Sequence, residues 1–324
     1  MPVRHLQDGQ DVDQVFVVRD RELRTRRDGS ELLRLKLADC TGSVSAVLGE
    51  DAAARAPECV KGTVVHVTGH FSIHARYGPQ LQLKTVRPAR EDEFDLDDLV
   101  VGPQQPPAQM EQDLRDLVAT VQDPHLRRLL EAVFGPDAPT WEAFRTAPAA
   151  KHYHQAYRCG LLEHCLTVAQ AVSATSATFP GIDRDVAVTG ALLHDIGKLE
   201  AYTSDPLAID MTDAGKLQGE IALGYYRVRR LIEEIPGFPV ERATAVLHII
   251  LSHHGSLEFG SPVVPCTREA TLVHMIDNLG GRLGSFDRLE RELPEGSVWS
   301  SYDRAIGGGA FFGGARPSPL PHAA

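Results

Sequence analysis

The chain has 324 residues, is 43% hydrophobic and carries a formal net charge of -11. This length allows two domains with separate cores. No apolar run approaches the roughly 18 residues of a membrane-spanning helix, and the N-terminal MPVRHLQDGQ has no apolar stretch typical of a secretion signal. The five cysteines form no CxxC pair, which argues against a disulfide framework and a thiolate zinc site. We therefore expect a cytoplasmic protein that does not associate with membranes.

The charge is unevenly distributed. Residues 1–90 contain 14 Lys and Arg against 11 Asp and Glu, whereas the remainder contains 19 against 33. Proteins that bind nucleic acid use cationic surface to displace counterions from phosphates. The overall acidity argues against tight duplex binding, but it leaves room for a local basic groove in the first segment.

Alternating apolar residues predict β-strands in the first 90 residues. These positions are Leu33, Leu35, Leu37, Val44, Ala46, Leu48, Val65, Val67, Phe71, Ile73, Leu81, Leu83 and Val86. Asp39 to Gly42 provides a turn between the first two runs. About five short strands with one polar face suit a small barrel such as the OB-fold, which binds single strands. We therefore predict an all-β OB-fold barrel over residues 1–95.

Several side chains of the predicted barrel are candidates for nucleic-acid contacts. They are Arg34 and Lys36 on a strand, Phe71 and Tyr77 as stacking platforms, and Arg19, Arg24, Arg26 and Arg27 in the first loop. The alternative is that Phe71 belongs to the core and that the arginines form a solvated loop, since aromatic residues are more often packed than used for stacking.

Composition changes after the predicted barrel. An acidic stretch and the proline-rich VGPQQPPA indicate a linker over residues 96–112. Helical periodicity follows, with Leu114 and Leu117 in one stretch and Leu126 and Leu130 in the next, and Asp183 is a candidate N-cap. We predict an all-α domain over residues 113–292 and a flexible Gly/Pro-rich tail over residues 293–324.

Metal-ligand side chains recur in five separate segments of the predicted helical domain. They are His164, the pair His194 and Asp195, Glu220, the pair His253 and His254, and Asp277. A metal hydrolase site needs imidazoles and carboxylates from several elements, because one helix cannot surround a cation and leave room for substrate. The alternative is chance, since the chain has 14 His. Chance is a weaker explanation here because each ligand lies in a distinctive local string.

These strings resemble the HD domain superfamily of metal-dependent phosphohydrolases. They are GLLEHCL, ALLHDIGKL, ILSHHG and HMIDNL, and together they lie between about residues 150 and 290. Within that superfamily, the phrases HQAYRCGLLEH, LLHDIGK, LSHHG and HMIDNLGG look like the YhaM-type 3'-5' exoribonucleases, which carry an OB-fold ahead of the HD domain. The resemblance implies the same order of domains in this chain.

The resemblance also implies two divalent metal ions, with manganese expected and magnesium or another divalent cation as alternatives. One ion would be bound by His164, His194, Asp195 and Asp277. The other would be bound by Asp195, Glu220, His253 and His254. The YhaM pattern normally has His where this chain has Glu220, and a second His where it has Gln155. Glu220 can ligate a hard cation, or it can form a salt bridge with Arg227 or another neighbour.

The catalytic residues implied by the resemblance are His194, Asp195 and Lys198. Lys198 lies one turn from the His-Asp pair, where it could contact a substrate phosphate, although alone it would be read as a surface lysine. The segment before the first ligand supplies further substrate-binding candidates, namely His154, Tyr157 and Arg158, with a structural role equally open for Tyr157. His248 and His274 match no ligand position and are predicted to be structural.

The sequence thus favours a metal-dependent 3'-5' exoribonuclease that releases nucleoside 5'-monophosphates from single-stranded RNA, with single-stranded DNA as a second substrate. The resemblance further implies a homo-oligomer. Two alternatives remain open at this stage. One is an HD phosphohydrolase that acts on small or cyclic nucleotides, and the other is a nucleic-acid-binding factor whose HD domain is catalytically silent.

Overall fold

The computed structural model describes residues 2–74, 78–103, 105–151, 155–291, 293 and 296–314. Its strands are β1 (Gln10–Thr25), β2 (Glu31–Asp39), β3 (Gly42–Leu48), β4 (Val64–His74) and β5 (Gly78–Pro88). Its helices are α1 (Ala52–Arg55), α2 (Leu96–Leu99), α3 (Pro107–Ala119), α4 (Pro124–Phe134), α5 (Trp141–Thr146), α6 (Gly160–Ser176), α7 (Arg184–Leu193), α8 (Lys198–Ala201), α9 (Asp213–Gln218), α10 (Glu220–Glu234), α11 (Val240–Ser252) and α12 (Arg268–Arg291). No helix in the described part of the chain combines the length and apolarity needed to cross a membrane.

The strands close into a barrel in the order β1-β2-β3-β5-β4. β1 pairs antiparallel with both β2 and β4, and β3 pairs parallel with β5. In β2, Leu33, Leu35 and Leu37 are buried inside the barrel, whereas Arg34 and Lys36 lie on its exposed outer face. Burial of each leucine contributes about 1.5–3 kcal/mol relative to exposure. The barrel predicted from alternation is confirmed.

Two local features shape the barrel. At the β2–β3 turn, the Asp39 carboxylate accepts hydrogen bonds from the backbone N–H groups of Thr41 and Gly42 at 2.7 and 3.0 Å, as expected for an Asp-initiated turn. In β4, the register shifts between Thr68 and Gly69. A Cβ atom at Gly69 would lie 2.4 Å from the Gln82 carbonyl oxygen, so only glycine allows this close approach.

Phe71 belongs to the barrel core. It is 5% exposed and packs with the other buried strand residues, including Val12 and Leu81. A ring in this position offers no face on which a base could stack. The prediction of Phe71 as a stacking platform is therefore wrong, and the alternative reading of a core residue holds. Tyr77, the other predicted platform, lies outside the described residues.

The segment predicted as a linker is largely structured. The helix α2 packs against β2, with Leu99 only 2% exposed, and the Asp98 carbonyl accepts a hydrogen bond from the Cys40 N–H. The helix α3 then begins at Pro107, and Met110 is buried in the helical core. The extended connection is thus shorter than residues 96–112, because apolar side chains at both ends pack onto the two units.

The helices α6 and α7 form the centre of the second unit. α6 packs against α7 and α12, and α7 packs against α11. Buried residues occupy nearly every face of α6, as expected for a central helix. Asp183 caps α7 as predicted, since its carboxylate accepts a hydrogen bond from the Val186 N–H at 3.2 Å. A Cβ atom at Gly190 would lie 2.3 Å from Ile249 Cδ1, so this glycine lets α7 and α11 approach closely.

The loop between α8 and α9 contacts the barrel. Arg19 donates a hydrogen bond to the Leu207 carbonyl at 3.1 Å, and Lys61 donates to the Ile209 carbonyl at 3.1 Å. Gly62 lies directly against Ala208, where a Cβ atom would approach within 2.5 Å of the alanine Cβ. Arg19 therefore joins the two units, which corrects its prediction as a nucleic-acid contact.

The C-terminal segment folds back onto α12. Residues 296–314 contain two isolated bridges, Trp299 with Phe311 and Asp303 with Gly308. Asp303 forms an ion pair with Arg288 of α12, and Ala310 is 2% exposed. The sequence predicted a flexible tail from residue 293, but these contacts give residues 296–314 a defined position. Residues 315–324 lie outside the described residues.

Candidate metal centre

The predicted ligands converge from different helices into two groups. The first group is His164, His194 and Asp277, and the second is Glu220, His253 and His254. Within each group, the candidate ligand atoms all lie within 4.8 Å of one another. This is the arrangement of mixed imidazole and carboxylate donors that a divalent cation requires.

Asp195 lies between the two groups. Its Oδ2 atom is 3.1 Å from His164 Nε2 and 3.4 Å from His194 Nε2, on the side of the first group. Its Oδ1 atom is 3.5 Å from His253 Nε2, on the side of the second. The two oxygens of one carboxylate thus face different groups, which is the geometry that a ligand bridging two cations needs.

Each histidine of the site presents Nε2 to its neighbours and uses Nδ1 to bond an oxygen. His194 Nδ1 donates to the Ala191 carbonyl at 2.7 Å, His253 Nδ1 to the Ile250 carbonyl at 2.8 Å, and His254 Nδ1 to the Phe259 carbonyl at 2.9 Å. A carbonyl can only accept, so these rings carry their proton on Nδ1 when neutral. Their Nε2 lone pairs are then available to a cation, as in most protein metal sites.

Two buried polar atoms at the centre have no hydrogen-bond partner in the described part of the chain. They are Asp195 Oδ1 and His253 Nε2, which face each other across 3.5 Å. Asp195 is 2% exposed and His253 is 1% exposed, so water outside the protein does not reach them. A buried polar atom without a partner costs about 1–3 kcal/mol. A cation that both atoms ligate would remove this cost, so the residues present fit a metal ion.

Glycines bring the ligand-bearing segments together. A Cβ atom at Gly197 would lie 1.9 Å from the carbonyl oxygen of Glu220, so the HDIGK turn packs directly on the start of α10. A Cβ atom at Gly255, which follows the His pair, would lie 2.0 Å from the His274 ring. Gly255 also has a φ of +83°, which favours glycine. These contacts explain the glycines that follow the His194-Asp195 pair and the His253-His254 pair.

His274 and His248 both bond to the backbone beside the site. The His274 Nδ1 donates to the His253 carbonyl at 2.8 Å, and His248 Nε2 accepts from the Cys266 N–H at 2.8 Å. Neither belongs to the two ligand groups found among the described residues. These contacts agree with the structural role that the sequence predicted for both.

Gln155 has a role that the sequence analysis missed. Its Oε1 atom accepts a hydrogen bond from His164 Nδ1 at 3.0 Å, so it orients the first ligand as the carbonyls orient the other histidines. Only the folded structure identifies this role, because the nine-residue spacing of Gln155 and His164 does not by itself indicate a contact.

Lys198 forms an ion pair with a residue of the site. Its Nζ lies 2.6 Å from Asp195 Oδ2, and its side chain is 13% exposed. Burial lowers the pKa of Lys198, but the negative charges of Asp195 and Glu220 outweigh it and hold the pKa well above its usual range. The ammonium is therefore charged and neutralises the carboxylate cluster. Its predicted contact with a substrate phosphate stays a prediction.

The carboxylates keep His164 protonated when no cation is present. Burial lowers the pKa of His164, but hydrogen bonds to Asp195 and Asp277 outweigh it and raise the pKa to about 9. For Asp277, burial raises the pKa, yet the His164 hydrogen bond and the neighbouring imidazoles lower it well below its usual range. The site thus balances its negative charge with protons that a cation would displace.

Glu220 lies inside the site. Its Oε1 atom is 3.3 Å from His254 Nε2, whereas Arg227, its predicted alternative partner, binds Glu200 at 2.8 Å. The alternative of a salt bridge between Glu220 and Arg227 is therefore wrong. The position of Glu220 agrees with the ligand interpretation, and its role as a ligand is a proposal.

The remaining substrate-binding candidates lie in the segment before α6 and in the barrel. The Tyr157 hydroxyl donates to the Glu163 carboxylate, which agrees with the structural alternative. Arg158 is exposed, and His154 lies outside the described residues. Of the barrel candidates, Arg34 and Lys36 are exposed on the outer face of β2 and can meet a ligand there.

A cavity of about 400 Å³ opens over the ligand groups. Its lining includes Asp195, Asp277 and Lys198, and also Arg282 of α12 and Ala305 of the C-terminal segment. The volume is in the range of cavities that hold small-molecule ligands. The sequence analysis did not single out Arg282, which lies between the ligand string HMIDNL and the predicted tail.

Comparison with known proteins agrees with this architecture. The HD domain family model matches residues 161–281. The fold and the site therefore define an HD-domain protein with an OB-type barrel at its N-terminal side. A solved structure, the second OB-fold domain of replication protein A from Methanococcus maripaludis, matches 28% of this chain and 95% of its own, at 21% identity and a TM-score of 0.24.

Relatives that align with most of the chain identify one family within this class of protein. The chain is 31% identical to the 3'-5' exoribonuclease YhaM of Bacillus velezensis over 288 residues, or 88% of this chain and 90% of that protein. It is 30% identical to YhaM of Bacillus subtilis over 292 residues, with the same coverage, and 28% identical to YhaM of Halalkalibacterium halodurans. The chain belongs to the YhaM family.

Proposed function

We propose that the protein is a metal-dependent 3'-5' exoribonuclease that hydrolyses single-stranded RNA to nucleoside 5'-monophosphates. The observation that carries the proposal is Asp195, a buried carboxylate that faces one ligand group with each oxygen, and whose Oδ1 has no hydrogen bond to any described residue. The YhaM relatives support the same activity through the function that their name states.

Divalent cations would supply Lewis-acid activation of the phosphodiester and stabilise charge on the leaving oxygen. The side chains of this chain would hold and orient them. His164, His194 and Asp277 would bind on one side of Asp195, and Glu220, His253 and His254 on the other. Lys198 would hold the shared carboxylate in place through its 2.6 Å contact.

Manganese is the metal that we propose. The donor set of four imidazoles and three carboxylates mixes nitrogen with hard oxygen ligands. Magnesium strongly prefers oxygen and water, whereas imidazole suits transition metals better. Magnesium or another divalent cation is the alternative that metal analysis would reveal.

The barrel would bind the strand while the helical unit cuts its end. Arg34 and Lys36 project from the outer face of β2 and would contact phosphates. Single-stranded DNA is the second substrate to test, since such contacts do not depend on the 2'-hydroxyl. The five cysteines are all free thiols, which suits the reducing cytoplasm that we propose as the location.

We also propose a homo-oligomer. Met275, Leu279 and Leu283 lie four residues apart on α12 and are 58%, 50% and 55% exposed. They form one apolar stripe on the helix surface. Burial of this stripe against another copy of the chain would remove it from water. Sedimentation or light scattering of the purified protein would test this.

An HD phosphohydrolase for small or cyclic nucleotides is a second candidate. The cavity over the ligand groups, about 400 Å³, is large enough for a mononucleotide. A protein of this kind would turn over free nucleotides and leave RNA intact. A catalytically silent nucleic-acid-binding factor would bind RNA without needing either cation.

One experiment separates these functions. The purified protein is incubated with single-stranded RNA labelled at the 5' or the 3' end, in the presence of Mn²⁺, Mg²⁺ or a chelator. A 3'-5' exoribonuclease shortens the 5'-labelled RNA progressively and releases the 3' label at once as a mononucleotide. Intact RNA in all metals, together with turnover of free nucleotides, would contradict the proposed function.

A further inference from the structure

Arg282 is an exposed basic residue in the lining of the cavity. Arg282 and Lys198 are the lysine or arginine residues among its described lining. Lys198 is largely shielded and ion-paired with Asp195, whereas Arg282 is exposed and forms no ion pair with any described residue. The positive charge of Arg282 is therefore available to an anion in the cavity.

The C-terminal segment holds the guanidinium of Arg282. Its Nη2 donates a hydrogen bond to the Ile306 carbonyl at 3.3 Å. An arginine has five N–H donors, so this contact fixes the side chain and leaves most of its donors free. A fixed guanidinium loses less rotamer entropy when it binds a phosphate through two parallel hydrogen bonds.

The turn that carries Ile306 is itself attached to α12. Asp303 accepts hydrogen bonds from the Ala305 N–H at 2.9 Å and the Ile306 N–H at 3.3 Å, and it also pairs with Arg288. Arg282 and Arg288 thus bind the same turn at two points. This arrangement explains why residues 296–314 have a defined position, and it places Ala305 in the cavity wall.

The position of Arg282 differs from that of the proposed cation ligand on the same helix, Asp277. Five residues separate Arg282 from the proposed ligand Asp277, a rise of about 7.5 Å along an α-helix. The Arg282 guanidinium bonds to the Ile306 carbonyl and forms no ion pair with a described carboxylate of the ligand groups, so it lies on the C-terminal-segment side of the cavity. It is therefore placed to bind a second phosphate of the substrate, apart from the phosphate that the cations would hold.

The order of phosphates along the RNA strand indicates which phosphate this second one is. An exonuclease that releases nucleoside 5'-monophosphates from a 3' end cuts beside the only phosphate of the terminal nucleotide. In the proposed function, the cations would hold this scissile phosphate. Any other phosphate in the strand lies on the 5' side of it. The Arg282 guanidinium, which lies to one side of the ligand groups, is therefore placed to meet a phosphate on the 5' side.

We propose that Arg282, held by the Ile306 carbonyl, binds the RNA phosphate immediately 5' to the scissile one. This inference rests on the proposed function, and it adds a residue and a substrate feature to that site. It makes Arg282 a substrate-positioning residue, because its phosphate does not react. It also predicts a preference for substrates that carry at least two phosphates.

Two dinucleotides that differ in one phosphate test the proposal. The dinucleoside monophosphate NpN contains only the scissile phosphate, whereas pNpN also carries the upstream one. Wild type is expected to cleave pNpN with the higher kcat/KM. Arg282→Ala should reduce the ratio of the two kcat/KM values by about tenfold or more, as expected for charge-assisted hydrogen bonds to phosphate. Arg282→Lys should give an intermediate ratio, since it keeps the charge and loses the planar fork.

A binding measurement provides a readout apart from cleavage. The affinity for fluorescent single-stranded RNA is measured with chelator at several salt concentrations. Loss of one phosphate contact should make the slope of log K against log salt shallower by about 0.7. The matched control is Arg304→Ala, which removes an exposed arginine from the same turn but not from the cavity lining.

The outcomes separate this proposal from the proposed function. An unchanged pNpN to NpN ratio in Arg282→Ala, or an equal change in Arg304→Ala, would overturn the assignment of Arg282. If wild type cleaves neither dinucleotide nor longer RNA, the proposed function fails and the inference fails with it. A reduced ratio and a shallower salt slope in Arg282→Ala alone support the proposal.

Discussion

The backbone of Gly197 packs against the first residue of α10, Glu220. A Cβ atom on Gly197 would lie 1.9 Å from the Glu220 carbonyl oxygen and 2.5 Å from the Gly224 nitrogen. Both atoms belong to the backbone, so no rotamer change can relieve the overlap. The turn that carries His194 and Asp195 can therefore approach the helix that carries Glu220 only if residue 197 is glycine.

The first prediction follows from this contact. Gly197→Ala should lower the free energy of unfolding by about 1–3 kcal/mol, because the extra methyl group forces the backbones apart. It should also weaken metal binding by the group that contains Glu220. Denaturant unfolding and metal analysis would measure the two effects.

Gly280→Ala is the matched control for this substitution. Gly280 lies within α12, and no atom of the described residues lies within 4 Å of an added Cβ there. The change should be neutral or stabilise the protein by about 0.5–1 kcal/mol, because alanine favours a helix. Equal destabilisation by both substitutions would contradict the proposed role of the Gly197 contact.

The second prediction concerns the shared carboxylate. Asp195→Asn should remove both cations and abolish RNA hydrolysis, because one carboxylate faces both ligand groups. Asp277→Asn should remove only the cation of the first group, because Asp277 belongs to that group alone. Metal content per chain, measured after gel filtration, distinguishes the two. Equal metal loss in both variants would show that Asp195 does not bridge. Circular dichroism checks that each variant is folded.

The third prediction concerns Glu220, where the chain departs from the family pattern. Glu220→Gln should lower occupancy of the second metal, since a neutral amide is a weaker ligand than a carboxylate. Glu220→His should restore occupancy, and activity should follow it. Glu200→Gln is the control, because Glu200 forms an exposed ion pair with Arg227 outside the ligand groups. An unchanged metal content in Glu220→Gln would defeat the ligand interpretation.

The fourth prediction concerns the barrel surface. Replacement of both Arg34 and Lys36 by alanine should weaken binding of long RNA and make its salt slope shallower by about 1.4, or 0.7 for each lost phosphate contact. Cleavage of NpN should change much less. Arg229 and Arg230 of α10 provide a control of equal charge, since both are paired with glutamates on the same helix. An equal effect in the control would indicate only the general loss of charge.

The sequence predicted the barrel, the helical domain and the ligands because those signals are local. Strand alternation and the strings around His194 and His253 can be read without knowing the fold. The same alternation already placed Phe71 on one face with Val65 and Val67, and that face is the core. The stacking prediction for Phe71 failed because it conflicted with the pattern that predicted its strand.

The roles that the sequence did not reveal depend on contacts that form only in the folded chain. Gln155 matters through His164, Arg19 through the Leu207 carbonyl and Arg282 through the cavity. None of these residues differs in type or spacing from an ordinary polar surface residue. Their roles exist only in the folded chain, where these contacts form.

The position of Asp195 also links the occupancies of the two groups. A first cation that displaces protons from the cluster and fixes this carboxylate changes the affinity for a second, and linkage requires that the change be reciprocal. Metal titrations should therefore depart from two independent binding curves. Chelators should likewise reveal the link, because occupancy of one group would shift the free metal concentration at which the other group empties.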